Sequence, residues 1–190
     1  MAALFLTHPE VVVDPRAPVT RWRLSDLGVA RMRTFVASEA VDGVREVWAS
    51  TETKAIEAAG LLAARLGLPV NVHPELGEND RTSTGFLPPA EFEVMADAFF
   101  ARPSESIRGW ETAAAAQARI SRATGAILAR ASASGDIAII SHGAIGTLLM
   151  CAMLGRPICR DLDQPFQGHF WRFDPDTGSV LHQWRPIAPR

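Results

Sequence analysis

The stretch Asp136-Ile137-Ala138-Ile139-Ile140-Ser141-His142-Gly143 decides how this chain is read. An unbroken apolar run after an aspartate marks a strand covered on both faces, as in a parallel sheet. Ser141-His142-Gly143 closes the run, and the glycine lets the chain turn closely into a helix expected over Ala144–Leu154. A second run of this kind, Ala2–Leu6, ends at Thr7-His8-Pro9-Glu10, where Pro9 has no amide hydrogen to give to a ladder.

Between these two runs the pattern alternates strands with helices. Ser25 and Asp26 start a helix that should reach about Glu39, and Val44–Ala49 reads as a strand. An amphipathic helix is predicted from about Glu52 to Leu66, with Ile56, Ala59, Ala63 and Leu66 as its inner face and Gly67 and Pro69 as its stop. Val70 and Val72 suggest an edge strand, and Pro74–Pro88 is polar and irregular, the kind of loop that carries function. Two more helices are predicted, at about Pro89–Arg102 (Phe92, Met95, Ala96, Phe99 inward) and from Trp110 to about Ala131 (Ala113, Ala116, Ile120, Ala123, Ile127 inward). Phe170–Phe173 and Val180–Trp184 flank a turn sequence and form a terminal hairpin. The expectation is one α/β domain over residues 1–190, a three-layer α/β/α arrangement with a mostly parallel central sheet.

Composition narrows the function classes. The chain has 190 residues, 47% apolar and 21% charged, which excludes a largely disordered protein. A net charge of -2 gives no nucleic-acid signature. No run approaches the ~18 apolar residues of a membrane span. The N-terminus lacks a basic segment before its short apolar stretch, so no signal peptide is expected and the cytoplasm is the expected location. Cys151 and Cys159 fit a reducing compartment and have no matching histidine pair, so they read as small core residues and not as zinc ligands. No metal or cofactor is expected. Of the 19 basic residues only Lys54 is a lysine.

His8 and His142 both follow strands of a parallel sheet, and ligands of such sheets bind beyond the carboxyl ends of the strands. The helix after Gly143 offers free amide hydrogens to an anion, here from Gly143 and Ala144. Two imidazoles beside such a helix end suit phosphoryl transfer. A serine hydrolase is a weaker reading, because Ile139 stands where the glycine of a nucleophile elbow is needed before Ser141.

Together these segments resemble the histidine phosphatase superfamily, the phosphoglycerate mutase-like proteins. Ser141-His142-Gly143 is one of the family's motifs unchanged, Thr7-His8-Pro9-Glu10 is similar to its Arg-His-Gly motif, and Ser50–Ala59 to its Ser-Ser-Pro-Leu-x-Arg-Ala motif from the second serine on. Leu76-Gly77-Glu78 and Leu24–Gly28 resemble two further family segments in the same order. The resemblance implies a phosphoglycerate mutase-like fold, His8 as a nucleophile that becomes phosphohistidine, His142 as the second imidazole and Glu78 as general acid, with Glu75 a competitor. It also implies phosphate contacts from Lys54, Thr7, Gly143 and Ala144. The substrate would be a phosphorylated small molecule or a phosphoprotein, phosphohistidine among the options.

Two departures stand out. Thr7 and Lys54 occupy the family's two arginine positions, and each missing guanidinium removes a planar bidentate clamp. Arg21, Arg23 and Arg81 are candidates to compensate, and Trp22 is expected near the pocket. Two functions therefore stay open: a phosphomonoester hydrolase, or a catalytically weak or inactive phosphate- or phosphoprotein-binding module.

Overall fold

The computed structural model describes residues 1–130 and 135–190. The strands are β1 (Ala3–Thr7), β2 (Val44–Ala49), β3 (Val70–Val72), β4 (Asp136–Ser141), β5 (His169–Phe173) and β6 (Val180–Pro186). The helices are α1 (Asp26–Val36), α2 (Thr53–Leu66), α3 (Pro89–Ala101), α4 (Ala113–Arg130) and α5 (Gly143–Met153). The strands form one six-stranded sheet in the order β3-β2-β4-β1-β5-β6. The first four in that order are parallel, and β5 and β6 add an antiparallel edge. The fold is α/β with a mostly parallel sheet, as the apolar runs imply.

Period-two alternation along β1 and β4 sends side chains into two cores. Ala3, Phe5, Ile137 and Ile139 pack against α3, α4 and α5. Leu4, Leu6, Ala138 and Ile140 face α1 and α2 on the other side. Every residue of β1 is buried, which explains why its sequence lacks polar alternation.

Several boundaries differ from the sequence reading, each for a local reason. Helix α1 stops at Val36 and not near Glu39, because the amide and hydroxyl of Ser38 both donate to the Phe35 carbonyl and close the last turn. In α2 Ala59 and Ala63 are buried as predicted, joined by Ala55, Ala58 and Leu62, while Leu66 is half-buried and Ile56 is exposed. Alanine contributes little apolar contrast, so the larger Ile56 drew the predicted stripe toward itself. Pro74–Pro88 is not wholly irregular: Pro74–Leu76 is a 3-10 turn that buries Leu76. Helix α4 starts at Ala113, since Arg108 and Gly109 have positive φ and Trp110 packs on Phe99 with its indole N–H donated to Thr84 Oγ1. Its predicted inner face is buried, and Ala131 lies outside the described residues. Among the described residues no helix is long and apolar enough to cross a membrane.

Candidate active site

Three parallel strands end side by side at one rim. The ladder runs one residue past each strand, with His8 N–H donated to the Ser141 carbonyl (3.2 Å) and Ser50 N–H to that of Ile140 (3.1 Å). This places His8, Ser50 and His142 together, as expected for the carboxyl edge of neighbouring parallel strands.

His8 Nδ1 lies 2.9 Å from the Pro9 carbonyl oxygen. A carbonyl only accepts, so Nδ1 carries the hydrogen and Nε2 keeps a lone pair in the neutral ring. Burial pushes the His8 pKa well below its ordinary value, and the neighbouring His142 and Lys54 push it further. The imidazole is therefore neutral at pH 7. The His142 ring stands edge-on to it with centroids 5.2 Å apart. His142 is fully buried and its pKa is likewise lowered, first by burial and then by the Lys54, Arg81 and Arg119 charges.

His142 Nε2 sits 2.8 Å from Ser50 Oγ and 3.2 Å from Glu52 Oε1. Serine and carboxylate share one ring nitrogen, while Nδ1 has no partner among the described residues. A serine triad needs the two on opposite nitrogens, so the geometry does not build one. Ser141 is also engaged elsewhere, its hydroxyl donated to the Leu76 carbonyl.

Glu52 is the residue the sequence reading missed. One oxygen lies 3.2 Å from His142 Nε2 and accepts from the Glu78 amide (2.9 Å), and the other accepts from Lys54 Nζ (2.5 Å). It occupies the N-cap position of α2 without capping it, since its side chain turns inward. A glutamate at a site where serine, threonine or aspartate is favoured was the available signal. Lys54 is buried as the resemblance implied, yet it is shared between Glu52 and the Val19 carbonyl (2.9 Å).

A cavity of about 400 Å³ opens above His8 and is lined by His8, Lys54, Glu78, Arg81, Gly143 and Gln164, with Trp22, Ala144, Phe92 and Phe166 at its walls. Glu78 Oε1 accepts weakly from the Asn79 and Ile145 amides, the second from the first turn of α5. Burial raises the Glu78 pKa, against the opposing charge of Arg81. Glu75 faces away, paired with Arg122 at 2.6 Å. Arg81 packs over the Phe92 ring at 4.8 Å and makes no salt bridge among the described residues.

Other expected ligands lie elsewhere. Arg21 is exposed, and Arg23 lines a separate cavity with Leu24 and Glu57, so neither is brought to the cavity above His8. Arg21 ends, and Arg23 follows, a turn that offers its Val19 carbonyl to Lys54, and both side chains are exposed. Thr7 is buried, its hydroxyl is engaged with Gln164 at 2.6 Å, and it does not line the cavity. The charged lining is balanced: Lys54, Arg81 and Arg160 stand against Glu78, Glu93 and Asp163, and Arg160 bonds Glu93, Asp97 and Asp163. Among the described residues no group of three or more His, Cys, Asp or Glu side chains is placed to hold a metal ion.

Comparison with known proteins places this geometry in context. The sequence profile of the histidine phosphatase superfamily (branch 1) matches residues 18–180. That span includes Glu52, Lys54, Glu78 and His142 and begins after His8. No curated protein matches the chain in sequence. Among solved structures, a mycobacterial glucosyl-3-phosphoglycerate phosphatase superposes with a TM-score of 0.79 at 18% identity, over 97% of this chain and 95% of that one. The α-ribazole phosphatase of Shigella flexneri gives 0.78 at 20% identity, over 99% and 98%. The mycobacterial enzyme in complex with inorganic phosphate gives 0.76 at 19% identity, over 97% and 94%. At these identities the likeness is one of fold.

Proposed function

The chain belongs to the histidine phosphatase superfamily, and from that premise we propose that it hydrolyses phosphate monoesters through a phosphohistidine on His8. The observation that carries this is the His8 Nδ1 contact with the Pro9 carbonyl, which leaves a neutral Nε2 lone pair in a ring lining the same cavity as Glu78. Nε2 attacks phosphorus and the ester P–O bond breaks. Glu78 gives its proton to the departing oxygen, a role suited to a carboxyl whose pKa burial has raised. The Glu78 carboxylate then takes a proton from water as that water attacks phosphorus. The P–N bond breaks, and His8 returns to its starting state with phosphate released.

A cavity of about 400 Å³ with Trp22, Phe92 and Phe166 at its walls suits a small phosphate ester better than a folded phosphoprotein. The structural neighbours named for glucosyl-3-phosphoglycerate and α-ribazole phosphatase activity agree with that size class. Incubation with a ³²P-labelled monoester and quenching in alkali should leave base-stable, acid-labile label on His8. Turnover with label on no histidine would overturn the intermediate. A second reading, a phosphate-binding module without turnover, is favoured by the engagement of Lys54 with Glu52. Phosphate binding with neither label nor hydrolysis across a broad ester panel would establish it.

A further inference from the structure

Gln164 and Thr7 form a couple that no sequence motif indicates. Thr7 Oγ1 accepts from the His169 amide at 3.0 Å and has a single hydrogen to give. Two acceptors are in range, Gln164 Oε1 at 2.6 Å and the His169 carbonyl at 3.3 Å, and the shorter contact takes the hydrogen. With Oε1 held this way, the Gln164 amide presents its two N–H bonds on the opposite side. Nε2 has no hydrogen-bond partner among the described residues.

Gly143 gives an independent sign that this amide has a built place. A Cβ at Gly143 would lie 2.6 Å from Gln164 Nε2, so a side chain there would shift the amide from this place. The backbone of Gly143 does not adopt positive φ. The missing side chain at Gly143 thus leaves room for the amide of Gln164 where it stands. His8, Gly143 and Gln164 line one cavity.

We propose that Gln164, oriented by Thr7, donates an amide hydrogen to an anionic phosphoryl oxygen held between His8 and the start of α5. This rests on the reading of the cavity as a phosphate site. A neutral two-part donor then stands where the resemblance led us to expect a guanidinium. Thr7 acts as a positioning residue, through Gln164 and without touching the anion. The reversed amide would turn a carbonyl oxygen toward the cavity and repel a phosphate oxygen, so the two orientations have opposite consequences.

The test is the Kd of inorganic phosphate and of orthovanadate, measured by calorimetry on the full chain. Gln164→Met keeps the side-chain length without the donor, and Thr7→Val keeps the shape without the hydroxyl. Each should weaken binding about tenfold, equivalent to about 1.4 kcal/mol. Thr7→Ser should bind like the parent, and the Gln164→Met/Thr7→Val double variant no more weakly than either single one. Parent affinity in Gln164→Met overturns the proposal, as does full additivity in the double variant. Unchanged melting temperatures in Thr7→Ser and Gln164→Met exclude loss of fold as the cause. Binding and His8 labelling separate the two readings. A parent that binds phosphate without labelling overturns the phosphohistidine and leaves Gln164 standing, whereas a parent that binds neither anion overturns both.

Discussion

Replacing Glu52 by glutamine is expected to lower the melting temperature and tighten phosphate binding together. The Glu52 and Lys54 side chains are 7% and 4% exposed, so the pair is buried and solvent screens it little. Removing one partner of a buried pair costs roughly 3–5 kcal/mol, because the other charge is left uncompensated. Glutamine keeps an oxygen to accept the Glu78 amide, which favours the lower end, about 3 kcal/mol. For a chain of this length that corresponds to a drop of about 6–12 °C. The released ammonium then has no counter-charge until an anion arrives. A unit charge about 4 Å from a phosphate oxygen is worth at most ~4 kcal/mol at an effective dielectric of 20. Recovering a third of that gives about a tenfold gain in affinity. The assay is thermal unfolding of parent and Glu52→Gln across a phosphate titration, in which the variant should melt lower without phosphate and rise more steeply with it. Lys54→Met supplies the opposite case: it should also melt lower, and phosphate should restore little. A Glu52→Gln variant with the parent's melting temperature, or one that phosphate fails to stabilise, would refute the reasoning.

Glu78→Gln should lower kcat/KM for alkyl phosphates by about 10²–10⁴ and that for p-nitrophenyl phosphate far less, since nitrophenolate leaves without a proton and kcat/KM does not report the later attack of water. Equal losses in steady-state kinetics would remove Glu78 from the acid role. Stability should fall in acid, because the folded pKa values of His8 and His142 lie below the unfolded value near 6.5. Between those values the unfolded chain binds more protons, so each imidazole lowers stability by up to about 1.4 kcal/mol per unit as pH drops. The raised pKa of Glu78 acts with the opposite sign, its contribution being lost as pH rises through the folded value. Urea unfolding between pH 5 and 7 reads the net slope, and an identical profile in His142→Gln would exclude His142 as a source. Arg31→Met should cost about 3 kcal/mol in the same unfolding assay, for it removes the buried partner of Glu10, which keeps only Arg190, and takes from the carbonyls of Gln167 and Ala188 their donor. A loss below 1 kcal/mol would show that water replaces those bonds.

What the sequence disclosed and what it withheld divide along the range of the interactions. β1 and β4 are legible because burial on both faces removes polar alternation within a few residues. The positions of His8 and His142 follow from the strands, since parallel neighbours bring their carboxyl ends to one edge. Glu78 and Lys54 became legible only through the resemblance, as one loop carboxylate among several and one helix cation in an arginine-rich chain. Gln164 left no local signal at all. It meets Thr7 across 157 residues, from a loop with no period to read. Arg21 and Arg23 show the converse error. They are near the site in sequence, yet the turn beside them contributes a backbone carbonyl and both side chains are exposed.

The two departures from the family pattern have a common electrostatic sense. A buried ammonium beside two imidazoles that burial keeps neutral needs a counter-charge, or the unliganded fold carries its full desolvation cost. Glu52 supplies that counter-charge from within the chain. At Thr7 the threonine–glutamine couple adds donors and no charge, so it raises no such demand. The cation of the lining left without an ion-pair partner among the described residues is therefore Arg81, which stacks on Phe92. An arrangement of this kind favours stability without ligand over affinity for phosphate alone. Binding energy must then come from the rest of the substrate, through the aromatic wall that Trp22, Phe92 and Phe166 provide.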